Sequence, residues 1–514
     1  MLRHGFVLKS AFCNQRKLAV LIWFVVAYLL VSIGIGLIAA INVHNTKDYA
    51  VAGRHLPLPV VMATVFATWF GAEAVFGVSA TFVREGLTGV AADPFGSSMC
   101  LILAGIFFSS RLYKLNILTL GDFYRMRYNR SVEVLTTIAM VISYMGWVAA
   151  QIKALGLIFN LISHGAISEQ TGMIVGTAIV LTYTTLGGML SVAILDFVQM
   201  IVVIGGLLYI ASIVSDQTGG IAPVIEHARH AGKLHFFPQS TNWSVWLTFL
   251  GGWLTMMLGS IPQQDVFQRI TSAKTARIAL WGSIFGASIY FCFTFVPMFI
   301  AYAATLIDPA TLIDPATFGT LVNTDSQRVL PTLVLTHTPL LAQAIFFGAV
   351  LSAIMSCSSA TLLAPSVTFA ENVVKGFMPQ MNDHAFLRVM RLCLIGFAGM
   401  VLLYALNSEL SIFGMVESAY KVTLAGAFIP LLFGAFWKRA TSQGAMAAII
   451  FGIASWVLIE ILVGEDSLVP AQLAGLVISA AAMVIGSLLP QKIGGTPHSP
   501  SGYLHEHAAR SHPH

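Results

Sequence analysis

Apolar runs of about twenty residues or more, each long enough to cross a hydrocarbon layer, recur thirteen times along this chain. They cover 18–41, 57–83, 92–112, 132–162, 170–186, 190–213, 244–262, 278–304, 338–370, 387–407, 410–437, 441–463 and 468–490. Only 10% of the residues are charged, where a soluble domain carries about 25%. A water-facing surface cannot be built around these runs, and lipid is the solvent that remains. In lipid every backbone polar group needs an internal partner, which a helix supplies by itself. The expectation is an all-α polytopic membrane protein of about 13 transmembrane helices. Two joins, Leu186–Gly187–Gly188 and Asn407–Ser408–Glu409, are short enough to merge neighbouring spans.

Charge sets the orientation. With the N-terminus outside, most of the 27 Lys and Arg fall in inside segments, among them Arg125, Arg127, Arg130, Arg269, Lys274, Arg277, Lys438 and Arg439. The basic N-terminal tail (Arg3, Lys9, Arg16, Lys17) runs against this assignment. The net charge of +5 then reflects topology, and neither a zinc spacing nor a basic–aromatic stripe points to a nucleic-acid partner. Cys13, Cys100, Cys292, Cys357 and Cys393 are scattered and mostly within spans, which does not make a disulfide framework. The first run, at about 24 residues, is too long for a signal-peptide core and reads as an uncleaved span.

No water-soluble module interrupts the series, so residues 1–514 read as one domain. Residues 18–41 form an extra N-terminal span, 57–437 a ten-helix core, 441–490 two additional spans, and 491–514 a His-containing cytoplasmic tail. The connection 305–337 holds a duplication, Ala304–Pro309 repeated as Ala310–Pro315, read as slippage in a tolerant loop. Two spans carry breaks. Thr68–Trp69–Phe70–Gly71–Ala72–Glu73 sits within the second span, and Leu258–Gly259–Ser260–Ile261–Pro262–Gln263–Gln264 closes the seventh. They lie five spans apart. An inverted five-helix repeat that breaks the first helix of each half has this spacing, and the freed backbone groups then line a midplane site.

Ionisable side chains at bilayer depth cost several kcal/mol and mark function by default. Glu73, Asp93, Lys153, Asp196 and the pair Glu417/Lys421 are such groups. Glu417 and Lys421 have i,i+4 spacing, which places them within salt-bridge reach on one helical face. Asp93 precedes Pro94 and reads as the cap of a membrane helix near the interface. Lys153, with Gln151, reads as a snorkelling or carboxylate-paired lysine. Ser356–Cys357–Ser358–Ser359, after Ala353, is a polar stretch in an apolar span. Its hydroxyls either bond back to the preceding turn or supply oxygen to a hard monovalent cation.

The segment Tyr183–Thr184–Thr185–Leu186–Gly187–Gly188, followed by Ser191–Val192–Ala193–Ile194–Leu195–Asp196–Phe197–Val198–Gln199, resembles the signature of the sodium/solute symporter family. The match extends to Ala67–Thr68–Trp69, to Ile261–Pro262 with Gln264 and Phe267–Gln268–Arg269, and to Ala353–Ile354–Met355–Ser356. The resemblance covers about residues 20–460 and looks nearest to the choline-transporter branch. It implies a LeuT-type inverted repeat working by alternating access, with sodium as the co-transported ion. It further implies a sodium site built from the carbonyls of Ala67, Phe70 and Ala353, the hydroxyl of Ser356 and the position of Cys357, with Asp196 on the ion path. Cys357 departs from the usual Ser or Thr, and a thiol is a soft partner for a hard cation.

For the solute, Trp69 and Trp147 fall where choline-type members carry tryptophans and are expected to form two walls of a cation–π cage. Gln263 replaces an aromatic residue of that pattern. With Glu73 nearby it suits a hydrogen-bonding solute. The expected activity is sodium-coupled uptake of a small organic solute, whether an amino acid, a choline-like cation or a carboxylate, by a multi-pass protein of the cell inner membrane. A transporter-like sensor working with a separate signalling partner is the alternative, disfavoured because the chain stops at residue 514 with no kinase-like segment. No nucleophile–base or metal-ligand constellation suggests an enzyme.

Overall fold

The computed structural model describes residues 2–41, 43–307, 326–378, 380–464 and 468–493. Within them the chain is helical almost throughout; a single isolated backbone bridge, Leu56 to Ala273, is the one β-type contact. The membrane-crossing elements are α1 (Leu2–Ala40), α2 (Leu58–Trp69) with its continuation α3 (Val78–Glu85), α4 (Leu87–Lys114), α5 (Arg130–Ile162) and α6 (Glu169–Gln217). There follow α7 (Trp243–Gly259) with α8 (Gln264–Ser272), α9 (Ala276–Ile307), α10 (Leu340–Asn372), α11 (Asp383–Asn407), α12 (Ile412–Phe436), α13 (Ser442–Leu462) and α14 (Ala471–Leu488). Ten are long and apolar enough to cross a bilayer singly, and two bent pairs bring the number to 12.

The two bent pairs are the breaks read from the sequence. Leu58–Trp69 meets Glu73–Glu85 at 57°, and Trp243–Gly259 meets Gln264–Ser272 at 42°. Twelve units stand against thirteen expected spans because 170–186 and 190–213 fall within α6. At 1.5 Å per residue a straight helix of that length would measure about 74 Å, more than twice the hydrocarbon thickness. It is not straight. Gly188, with φ 51° and ψ −146°, interrupts it, and this conformation is open to glycine and strained for other residues. Tyr183 and Leu195 both lie against the same position, Gly36 of α1, although twelve residues of straight helix would separate them by about 18 Å. The two halves of α6 therefore fold back on each other around Gly188.

Lipid-facing surfaces are apolar, as at Trp23 and Ile461, which are 71% and 75% exposed. The centre of the bundle differs. Thr64, Glu73, Asp93, Gln151, Asp196, Gln263, Asp265, Arg269 and Ser356 are all buried there. Such groups are costly in an apolar interior unless they bond to each other or to a ligand. α13 and α14 pack together through small residues, Gly486 against Gly444 and Ser479 against Gly452, the close approach that membrane helices use.

The two faces of the bundle are unequal. At one, a cavity of about 600 Å³ is lined by Thr81, Arg84, Glu85, Phe249, Phe413 and Glu417, among others. At the other, the chain entering α2 is tied to the chain leaving α8. Leu56 N donates to Ser272 O at 3.0 Å and Lys274 N to Leu56 O at 2.9 Å. Arg54 Nη2 reaches Ile117 O at 3.2 Å, and the Tyr113 hydroxyl donates to Ala273 O at 3.1 Å. Both broken helices are thus clamped together on this side.

Two expectations need correction, those for Lys421 and Asp93. Lys421 pairs with Glu460 of α13 at 3.4 Å rather than with Glu417, which lines the open cavity; the neighbouring span offers a better-placed carboxylate than the same helical face. Lys153 donates to the carbonyls of Leu410 at 2.7 Å and Ser408 at 3.3 Å, at the turn between α11 and α12. Asp93 is fully buried, not interfacial, because Ser97 and Tyr290 both donate to its Oδ1. The duplicated residues 308–315 and the tail from 494 lie outside the described residues.

Candidate functional site

In an unbroken helix the amide of residue 71 would bond the carbonyl of Ala67. Here Gly71 N turns to Trp69 O at 3.1 Å, and Phe70 leaves helical geometry at φ −88° and ψ 75°. The freed Ala67 carbonyl meets Ser356 Oγ of α10 at 3.2 Å. Asp196, from the second half of α6, takes the same hydroxyl on Oδ1 and that of Thr64 on Oδ2. Three acceptor oxygens therefore converge on two hydroxyl hydrogens. Ser356 has one proton for two acceptors, Ala67 O and Asp196 Oδ1, so this buried cluster is one donor short.

The break is buttressed by Gln151 and Cys357. Gln151 Oε1 accepts from Ala72 N at 2.8 Å, satisfying an amide that the broken helix releases. A Cβ placed on Gly71 would lie 2.6 Å from Gln151 Oε1 and 2.8 Å from Cys357 Sγ. Cys357 thus packs on the backbone of the break. Ala353 lies one turn before Ser356 on α10. The structure brings together Ala67, Ser356 and Asp196, and adds Thr64. Asp196 stands in the cluster itself.

The second break is built in the same way. Thr423 Oγ1 of α12 donates to the freed Gly259 carbonyl at 2.7 Å. Gln263 Nε2 donates to Ser143 and approaches Thr423 Oγ1 at 3.4 Å, while its Oε1 has no partner. Tyr144 donates to Asp265 Oδ1 and accepts from Asp265 N at 2.8 Å. Between the two breaks lies an aromatic cluster. Trp69 and Trp147 have ring centroids 5.2 Å apart, Tyr420 stacks on Trp69 at 6.2 Å, and Tyr144 stacks on Trp147 at 6.0 Å. Glu73 lies beside Trp147 and Asp93, yet neither Trp147 Nε1 nor Asp93 Oδ2 has a hydrogen-bond partner of good geometry.

Trp69, Trp147, Glu73 and Gln263 therefore do share one neighbourhood. Tyr420 and Tyr144 stand with the two tryptophans in the cluster. Both tyrosines sit one helical turn from a residue already singled out, Tyr144 before Trp147 and Tyr420 after Glu417. Their i,i+3 spacing is the signal that could have found them.

Residues 49–452 match the model of the sodium:solute symporter family. The chain belongs to the sodium:solute symporter family. As a member it is a multi-pass, sodium-coupled solute transporter and not an enzyme, and nothing in these comparisons favours a sensory role. Among its relatives, the high affinity choline transporter 1 of Homo sapiens is 27% identical over 445 residues, spanning 84% of this chain and 75% of that protein. The sodium/glucose cotransporter of Vibrio parahaemolyticus is 24% identical, spanning 83% of this chain and 82% of its own. A sodium-coupled sialic acid symporter solved in a substrate-bound outward-open state has the same fold. Its TM-score is 0.78 at 18% identity, covering 92% of this chain and 99% of that one. Mhp1, a nucleobase-cation-symport-1 family transporter, superposes at 0.53 with 15% identity, covering 85% and 94%. This symporter therefore has the LeuT-type inverted repeat expected of it.

Proposed function

We propose that this symporter seats sodium at Ala67, Asp196, Ser356 and Thr64 and carries a small solute with N–H groups between its two broken helices. The observation that carries the ion assignment is the shared Ser356 proton. Two buried acceptors, one a carboxylate, converge on a single hydroxyl hydrogen, and a hard cation resolves this where another hydrogen-bond donor is absent. The carbonyls of Phe70 and Ala353 stand within a turn of this seat and complete the ligand set. Cys357 packs on the break and supplies no ligand.

The solute assignment rests on the aromatic cluster and its acids. Aromatic faces attract an organic cation, and Glu73 with Asp93 would disfavour a carboxylate placed beside them. The relatives named for choline and glucose leave the class open, and the local chemistry supports an ammonium. Gln263 Oε1 is a buried acceptor without a donor. A quaternary ammonium has no N–H to give it, whereas a primary or secondary amine does.

With the N-terminus outside, the 600 Å³ cavity faces outward and the Leu56–Ala273 closure faces the cytoplasm. Counting the turn at Gly188, the chain crosses the cell inner membrane thirteen times, with 57–437 as the ten-helix core. Thermal-shift binding with choline, betaine, proline and a monocarboxylate, each with and without sodium, tests the reading. Proline stabilising the protein in a sodium-dependent way supports it. A monocarboxylate as the strongest binder refutes the solute assignment.

A further inference from the structure

Arg269 is 2% exposed, yet two of its nitrogens have nothing to bond. Its Nη1 reaches only the Asp265 backbone oxygen at 3.3 Å and Gln268 Oε1 at 3.4 Å, both on its own helix. Nε and Nη2 have no partner. A buried guanidinium with free donors is strongly unfavourable unless another state of the protein uses them. Two acids lie within electrostatic range, Asp196 of the proposed cation seat and Asp265 one turn earlier on α8. Asp265 Oδ2 is itself a buried acceptor without a donor. Arg269 also stands on α8, which runs from the second break to the clamped face, so it lies on the side through which a cation would leave the seat.

We propose that Arg269 is the resident counter-charge of the emptied seat, whose free Nε and Nη2 donors take over the Asp196 carboxylate once the co-transported cation has gone. This rests on the reading of Asp196 and Ser356 as the cation seat. While the cation is bound, Asp196 is neutralised by it and the guanidinium is held by its own helix, beside Asp265. When the cation leaves, Asp196 would be a buried, unpaired charge, costly enough to stall the return of the empty carrier. Arg269 removes that barrier by replacing the ion with a tethered positive charge. It is a positioning residue that competes with sodium for one carboxylate and never touches the solute.

Competition of this kind makes predictions of opposite sign for two neighbouring residues, neither of them in the seat. Equilibrium binding of ²²Na⁺ to the purified full-length protein reads both. Arg269→Gln removes the competitor and should tighten sodium binding by about tenfold or more, whereas Arg269→Lys, which keeps the charge, should stay near the native affinity. Asp265→Asn still accepts from Tyr144 but holds the guanidinium less strongly, so it should weaken sodium binding by about tenfold. A packing lesion can weaken an ion site but does not tighten it. The proposal is overturned if Arg269→Gln binds sodium no more tightly than the native protein, or if Arg269→Lys behaves like it. Should Arg269→Gln not yield monodisperse protein, an unchanged affinity in Asp265→Asn overturns it instead. Ser356→Ala in the same series separates the two readings: if that change leaves sodium affinity untouched, the seat itself is misassigned, whatever Arg269 does.

Discussion

Asp196 and Ser356 are hydrogen-bonded across 160 residues of sequence, and this contact joins the two repeats of the fold at the first broken helix. In the proposed ten-helix core, Asp196 comes from the last helix of the first repeat, and Ser356 from the third helix of the second. A cation held between them couples the two halves, which is what a symporter needs from its driving ion. Asp196→Asn keeps the shape and removes the charge. It should abolish sodium-dependent uptake in proteoliposomes while leaving the protein folded by gel filtration. Sodium-dependent uptake at the native level would show that the charge is not used.

Cys357 separates packing from ligation. Its sulfur lies against the backbone of Gly71, so Cys357→Ser should change the apparent sodium affinity by less than about threefold, within the range of a modest lost contact. Gly71→Ala is the damaging change, because a methyl there meets Gln151 Oε1 and Cys357 Sγ well inside contact distance. Uptake and thermal stability should both fall in Gly71→Ala. A large gain of sodium affinity in Cys357→Ser would instead make the thiol a displaced ligand.

Gln263→Trp tests the aromatic cluster from the other direction. Gln263 is fully buried and bonded to Ser143, so a larger ring overpacks the site. It should cost about 1–3 kcal/mol of stability and create no choline site. Trp147→Ala should weaken binding of an ammonium solute by roughly 30-fold, the loss of about 2 kcal/mol of desolvated cation–π contact. Improved choline binding in the Gln263→Trp variant would show that an aromatic residue at this position completes a choline site.

The clamp between Leu56 and Ala273 predicts a switchable block. Bridge partners of this kind lie about 5 Å apart, within disulfide range. Cysteines at Leu56 and Ala273, in a background lacking the native cysteines, should cross-link under oxidation and stop uptake. Sodium binding from the cavity side should persist, and reductant should restore transport. Unimpaired uptake by the cross-linked protein would mean that this face need not open.

The helical class and the two breaks were legible in the sequence because both are local properties. An apolar run reports its solvent, and a Gly- or Pro-containing interruption reports a backbone that cannot stay helical. Trp69, Trp147, Ala67 and Ser356 were found through the motif resemblance, and geometry then brought them together. Thr64 and Gln151 were not legible as site residues, and for Tyr144 and Tyr420 helical spacing gave the neighbourhood but not the partner. Each acts on a partner more than 75 residues away, as Gln151 does on Ala72 and Tyr144 on Asp265, and single-chain periodicity carries no such pairing. Lys421 misled for the complementary reason. Its i,i+4 neighbour Glu417 is local, and the neighbouring α13 supplied Glu460.

Sodium held at Ser356 and Asp196 is what drives uptake in the proposed cycle. The direct test is uptake of radiolabelled proline into proteoliposomes, with sodium or potassium outside, for the native protein and Ser356→Ala. The account predicts accumulation only with an inward sodium gradient. Ser356→Ala should need about tenfold more sodium for half-maximal rate, as loss of one ligand contact of about 1.5 kcal/mol implies. Equal accumulation in potassium, or a Ser356→Ala variant with native sodium dependence, would contradict it.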